Sequence, residues 1–223
     1  MTRGRLITLE GGDGAGKTSQ AGWIRDLIRA QGVSLIETHE PGGTPLAETI
    51  REWVLSPTVD PPEAMAELLL VFAARRQHWV ERIEPALESG TWVLCDRFVD
   101  STYAYQGAGR GLPVAWIATL EHWVLGSAGR PDLTLYFDTP VDQALDRVRQ
   151  RGQLNRMERE SLDWHERVRA GYQSRLEADP ERFVRIEGGL SPDKVRAMIE
   201  MALTRRFAAW TSGGAIPPQD PPR

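Results

Sequence analysis

Gly11-Gly12-Asp13-Gly14-Ala15-Gly16-Lys17-Thr18 meets the pattern G-x-x-x-x-G-K-S/T at every fixed position. Glycines let a backbone curl around an anion with its N–H groups aimed at phosphate oxygens, and a helix starting there adds the positive end of its dipole. Lys17 is one of only two lysines in 223 residues, against 25 arginines. A compact ammonium reaches between β- and γ-phosphates where a broad guanidinium fits poorly, a reason for lysine to persist in so arginine-rich a chain. Thr18 offers a hydroxyl suited to Mg²⁺. The string implies a nucleoside triphosphate site.

Two other groups could work with it. Asp96-Arg97-Phe98 combines a carboxylate fit to hold Mg²⁺, directly or through water, with a guanidinium fork fit to steady a phosphate. The stretch Leu145 to Arg159 carries Arg147, Arg149, Arg151, Arg156 and Arg159, and Gly152 breaks its helical pattern. Alone, such a run reads as a solvated helix face. In company with a phosphate loop, one or two of the five read as working residues on a mobile lid at about 145–160, which closes over nucleotide and brings charge to a phosphoryl group in transit.

These groups need strands and helices to carry them. Leu6–Leu9 is a short β-branched, apolar run suited to a buried parallel strand, and Thr18–Ala30 reads as a helix. Further strands are expected at Ser34–Thr38, Thr91–Cys95, Leu133–Phe137 and Arg182–Ile186. Asp60-Pro61, Thr139-Pro140 and Ser191-Pro192 each pair a capping residue with the proline favoured at a first helical position. The alternation implies an α/β fold, a doubly wound parallel five-stranded sheet with right-handed crossovers. Gly11, the Glu40-Pro41-Gly42-Gly43 turn, Asp96-Arg97 and Asp138 then gather beyond the strands' carboxyl ends. A single domain is expected over 1–211, with a disordered tail from Ser212 to Arg223 that holds four prolines and two glycines.

Composition narrows the field. The chain is 41% hydrophobic with a net charge of −4, which argues against a nucleic-acid partner. No run approaches ~18 apolar residues, so no membrane span is expected, and the cytoplasm is the default location. One cysteine excludes an internal disulfide, and Cys95, ending Trp92-Val93-Leu94, reads as core filler. A GTP-hydrolysing switch needs an Asn-Lys-x-Asp guanine reader, but the second lysine, Lys194, follows Asp193.

Five segments together resemble the bacterial thymidylate kinases, with the likeness running from about Leu6 to Leu203: LEGGDGAGKT (Leu9–Thr18), EPGGTPLAETIR (Glu40–Arg51), ELLLVFAARRQH (Glu67–His78), DRFVDSTYAYQGAGRG (Asp96–Gly111) and PDLTLYFD (Pro131–Asp138). The loop alone is shared widely, whereas EPGGT, the DRF…S-x-x-AYQG segment and PDLTLYFD, in this order and spacing, are close to diagnostic. The resemblance implies transfer of the γ-phosphoryl of ATP to the 5′-phosphate of dTMP with Mg²⁺, in a homodimer. It places Lys17 and Thr18 on the ATP phosphates and metal. Asp13 meets the sugar 3′-hydroxyl, and Arg51 and Arg97 clamp the acceptor phosphate. Glu40, Ser101, Thr102, Tyr105 and Gln106 line the nucleoside pocket, where Tyr105 crowds the sugar 2′ position. The loop lacks the arginine some members carry there, which matches the branch whose catalytic arginines lie in the lid, here Arg149, Arg151 and Arg156.

Three positions depart from the family pattern. His39 stands where arginine is usual, and Asn155-Arg156 replaces Asp-Arg. Val71 stands four residues before the expected thymine reader, Arg75, where an aromatic is usual. Either Phe72 turns in to stack or Arg76 takes the role of Arg75. The eight tryptophans, among them Trp53, Trp79, Trp116 and Trp123, suit an apolar interface or a core equally.

Overall fold

The computed structural model describes residues 3–212. Five strands, β1 (Leu6–Glu10), β2 (Leu35–His39), β3 (Trp92–Asp96), β4 (Leu133–Asp138) and β5 (Phe183–Glu187), form one parallel sheet in the order β2-β3-β1-β4-β5. Each lies within a residue or so of its expected place. Every residue of β1 and β4 is buried, as expected where helices cover both faces of a sheet. The helices are α1 (Lys17–Arg29), α2 (Pro45–Leu55), α3 (Ala64–His78), α4 (Glu84–Glu88), α5 (Val99–Thr102), α6 (Val114–Leu125), α7 (Val141–Arg151), α8 (Leu162–Ala178) and α9 (Pro192–Ser212). Wide π-type turns join α3 to α4 (Trp79–Ile83) and extend α5 (Tyr103–Gly109).

The chain leaves β1 toward β2 on one side, while β4 pairs on the other. That reversal opens a crevice beyond the carboxyl end of β1, where ligands of doubly wound sheets bind. One side of the sheet packs Ile7, Leu9 and Phe137 against Ile24, Ile28, Ile199 and Leu203 of α1 and α9. The other packs Leu6, Val93 and Cys95 against Leu68, Phe72, Trp79 and Phe98. A third cluster joins Ala47 and Val54 to Tyr105, Trp164 and Tyr172, tying α2 and α8 to the edge of the crevice.

Some expectations are corrected. No helix begins at Asp60-Pro61: α3 starts at Ala64, and the Glu63 carboxylate accepts from the N–H groups of Met65 (2.8 Å) and Ala66 (3.3 Å). Pro62 disfavours helical torsions at Pro61, so the double proline delays the start. Thr139-Pro140 precedes α7 by one residue more than expected, whereas Pro192 does open α9. Trp79 is 1% exposed and belongs to the core. Of the tail from Ser212, only the backbone of that first residue, the end of α9, is described; 213–223 lie outside the described residues.

Candidate active site

The glycine loop joins β1 to α1 at the sheet's central strand. Gly14 has φ of +75°, and a Cβ there would lie 2.1 Å from the Ala144 carbonyl oxygen, so only glycine fits between the loop and α7. Lys17 folds back over the loop, its Nζ donating to the carbonyl oxygens of Gly11 (2.8 Å) and Gly12 (3.0 Å). Burial, and then the nearby Arg97, depress its pKa to about 8. A cleft of about 1640 Å³ including its open mouth is lined by Asp13, Gly14, Ala15, Gly16, Lys17, Thr18, Asp96 and Arg97, with Arg147 and Arg151 contributed by α7. Among the described residues, the buried Asp96 Oδ1 has no hydrogen-bond partner. An orphaned carboxylate oxygen and a threonine hydroxyl on one cleft suit a hard, oxygen-seeking cation such as Mg²⁺.

A second, smaller cleft of about 590 Å³, likewise including its open mouth, lies against the first. It shares Asp13, Arg51, Arg97 and Asn155 with the larger one, so these residues form the sill between them. Arg97 holds the centre with φ of +68°, unusual for a residue with a side chain. Its guanidinium donates to Asp13 Oδ1 (2.8 Å), the Gly11 carbonyl (2.9 Å), Tyr172 Oη (3.0 Å) and Ser101 Oγ (3.3 Å), and lies 4.9 Å from the Tyr105 ring centroid. Tyr105 Oη donates to the other Asp13 oxygen at 2.9 Å. Burial opposes ionisation of Asp13, but Arg97, Lys17 and Tyr105 outweigh it and hold its carboxyl below the ordinary range. Arg51 reaches the sill from α2, donating to the Pro41 carbonyl at 2.8 Å.

Two residues absent from the sequence reading support this sill. Glu10, the last residue of β1, is fully buried and accepts from Ser101 Oγ (2.6 Å), Phe98 N–H (2.7 Å) and Tyr172 Oη (3.1 Å). Burial and the nearby Asp100 push its pKa to about 7. Tyr172 arrives from α8, far along the chain. A carboxylate closing an apolar strand was the available signal for Glu10, whereas nothing in the sequence marked Tyr172.

The inner end of the smaller cleft is organised by Arg75. It is 2% exposed, and its donors meet Glu40 Oε2 (2.7 Å), Thr102 Oγ1 (2.9 Å) and the Phe98 carbonyl (3.2 Å). A buried charge of this kind is tolerable only with its partners in place. Glu40 also meets His78 Nδ1 at 3.1 Å. Arg75, not Arg76, lines the cleft: Arg76 extends along the surface to the Val124 carbonyl. Phe72 does not line it. It packs in the core, its ring 4.9 Å from the Arg75 guanidinium, and Val71 and Phe98 supply the cleft's apolar wall. Ser101, Thr102, Tyr105 and Gln106 all line this cleft. His39 sits outside it, 2.9 Å from Glu48.

The arginine-rich segment divides. Its first half is α7, anchored by buried Ala144, Leu145 and Val148, and Gly152 ends it with φ of +100°. Arg147 donates to the carbonyls of Gly14 (3.3 Å) and Gly188 (3.0 Å). Arg151 lines the larger cleft and pairs with Glu158. Arg149 faces solvent and pairs with Asp146 at 3.0 Å, while Arg156 is held by Glu67 (2.6 Å) and the Val54 carbonyl (2.8 Å). Of the three arginines favoured from sequence, only Arg151 therefore stands on the larger cleft, with Arg147 beside it.

Comparison with known proteins covers nearly the whole chain. The thymidylate kinase family profile matches residues 9–199. The thymidylate kinase of Marinomonas sp. is 47% identical over 93% of this chain and 98% of its own length, and that of Teredinibacter turnerae 50% identical over 90% and 97%. The crystal structure of thymidylate kinase from Ehrlichia chaffeensis superposes with a TM-score of 0.73 at 31% identity, covering 91% of this chain and 99% of the other.

Proposed function

The chain belongs to the thymidylate kinase family, and on that premise we propose that it transfers the γ-phosphoryl of ATP to the 5′-phosphate of dTMP, giving dTDP and ADP. The observation that carries the assignment of clefts is the shared sill. A cleft floored by a phosphate loop meets a smaller one lined by Arg75, Thr102 and Gln106, and the basic residues Arg51 and Arg97 stand between them. ATP phosphates occupy the first and the nucleoside of dTMP the second, so donor and acceptor phosphates meet at the sill, where positioning supplies much of the rate.

Lys17 holds the β- and γ-phosphates, and Arg51 and Arg97 clamp the acceptor. Mg²⁺, held by Thr18 and Asp96, adds positive charge to the donor phosphates when bound. Arg151, released from Glu158 on closure, brings charge to the phosphoryl group. Asp13 meets the 3′-hydroxyl. Tyr105, wedged edge-on against Trp164 and Tyr172 at ring separations of 5.5 and 6.3 Å, cannot retreat from a 2′-hydroxyl. A cytoplasmic homodimer fits the exposed Trp53, Leu69, Trp116 and Trp123 on α2, α3 and α6. Among the described residues, no helix is long and apolar enough to cross a membrane.

A coupled ADP-release assay across monophosphates tests the acceptor. We expect dTMP first, dUMP lower by roughly 10- to 200-fold for the missing methyl, and dCMP and dGMP lower by about 10⁴ because buried polar groups are left unpaired. Either of the last two coming first would remove the thymidylate assignment while leaving the phosphoryl chemistry standing.

A further inference from the structure

Glu67 lies in the first turn of α3 with its carboxylate 1% exposed, beneath the smaller cleft rather than in it. Its Oε1 accepts from Gln106 Nε2 at 2.7 Å, and its Oε2 accepts from Arg156 at 2.6 Å. Arg110 Nε stands 3.4 Å from Oε2 and 3.5 Å from Oε1. The two arginines make this burial of charge tolerable. What the arrangement fixes is Gln106. A primary amide can turn about its last torsion and exchange donor for acceptor, but an ionised carboxylate accepts only. Glu67 therefore holds the Gln106 NH₂ group toward itself. Among the described residues no donor meets the remaining Oε1, on a side chain that lines the cleft.

We propose that Glu67 is a specificity-determining positioning residue, which locks the Gln106 amide so that an acceptor faces the nucleobase beside the donor Arg75. The proposal rests on dTMP being the acceptor. A thymine ring offers an N–H donor at N3 next to the O4 acceptor, and so complements an acceptor set beside a donor. Cytosine offers the reverse at both places: an unprotonated N3 and an exocyclic amine. The discrimination would then originate in a residue that does not touch the base. It would also depend on the segment bearing Arg156, because that guanidinium occupies the other carboxylate oxygen.

The test is Glu67→Gln, which is nearly isosteric. The new amide keeps an oxygen for Arg156 and turns its NH₂ toward Gln106. The Gln106 amide must then flip and present a donor to the base. We expect kcat/KM for dTMP to fall at least 10-fold and the preference for dTMP over dCMP to shrink from about 10⁴ to on the order of 10². A preference within ~3-fold of wild type in a folded Glu67→Gln protein overturns the proposal, since a merely structural role would slow both substrates alike. In a Gln106→Leu background, Glu67→Gln should leave the preference unchanged; a further large change there would likewise overturn it. Glu67→Asp, made in parallel, keeps an acceptor-only group and should retain the preference while losing rate. Loss of preference in Glu67→Asp counts against the orienting role even if the glutamine variant does not fold. Wild type in the same assay separates the two readings: if it prefers dCMP, the acceptor assignment fails, and if it prefers dTMP with Glu67→Gln unmoved, only the role of Glu67 fails.

Discussion

The two clefts are built on opposite plans. The phosphate loop is one contiguous string, and its ligating groups are largely backbone N–H groups whose directions follow from glycine torsions and the start of α1. The acceptor cleft is drawn from α2, α3, the Glu40 turn, α5 and its π-type extension, and the 153–159 segment, and held by side chains that pin one another. Backbone sites tolerate change at their neighbours, whereas networks transmit it. The contrast teaches that damage to the loop should be local and large, and damage to the cleft graded and shared between residues.

The largest expected effect tests the loop. Lys17→Ala should lower turnover by on the order of 10²–10³ with the fold intact, because one preorganised cation leaves the transferring phosphoryl while the glycine backbone stays. Turnover within ~3-fold of wild type would break the comparison at its firmer end.

The lid arginines sharpen it. Arg151→Met should lower kcat by roughly 10-fold or more with little change in KM, as a group engaged in the transition state does. Arg149→Met, removing a solvent-facing side chain paired with Asp146, should stay within ~2-fold. Equal losses in the two would show that the segment acts through its overall charge, not through one residue.

Stability against pH probes the sill. Glu10 is held near pKa 7 in the fold but has an ordinary value near 4.5 when unfolded, so between those values the unfolded chain binds fewer protons. Stability must then fall as pH rises from about 4.5 to about 7. Thermal melts of wild type should show this slope, and Glu10→Gln should flatten it by a few degrees in Tm. A slope of the same size in both proteins would mean that Glu10 is ionised throughout.

The smallest effect belongs to the His39 departure. The His39 ring lies outside the smaller cleft, with Glu48 2.9 Å away. His39→Arg should therefore change KM for dTMP by less than ~3-fold across pH 6–8, and a larger, pH-dependent difference would show direct coupling to the acceptor phosphate.

Legibility in the sequence followed the same division. The strands were readable because each is a short β-branched run bounded by turn residues, and the loop because its chemistry is local. Arg97 was legible from its place beside Asp96 at a strand end, Arg75, Thr102 and Gln106 were reached through the resemblance, and the structure brings all four to the clefts. Glu10, Glu67 and Tyr172 were not reached. Each acts through hydrogen bonds to residues 39 to 162 positions away, and no periodicity or spacing carries that information. Phe72 illustrates the same limit, since one residue's rotation on α3 decides whether a ring meets the cleft or the core.

Cys95 leaves a practical handle. Its thiol is wholly buried one residue before Asp96, it donates to the Arg97 carbonyl at 3.0 Å, and burial raises its pKa well above the ordinary thiol value. A thiol reagent can therefore react only when the end of β3 opens. Modification of this single native sulfhydryl becomes a clock for local unfolding at the seam between the two clefts. Nucleotides that bind only the closed form should slow that clock in proportion to their occupancy, so the wild-type chain reports its own ligand-linked opening without an attached dye.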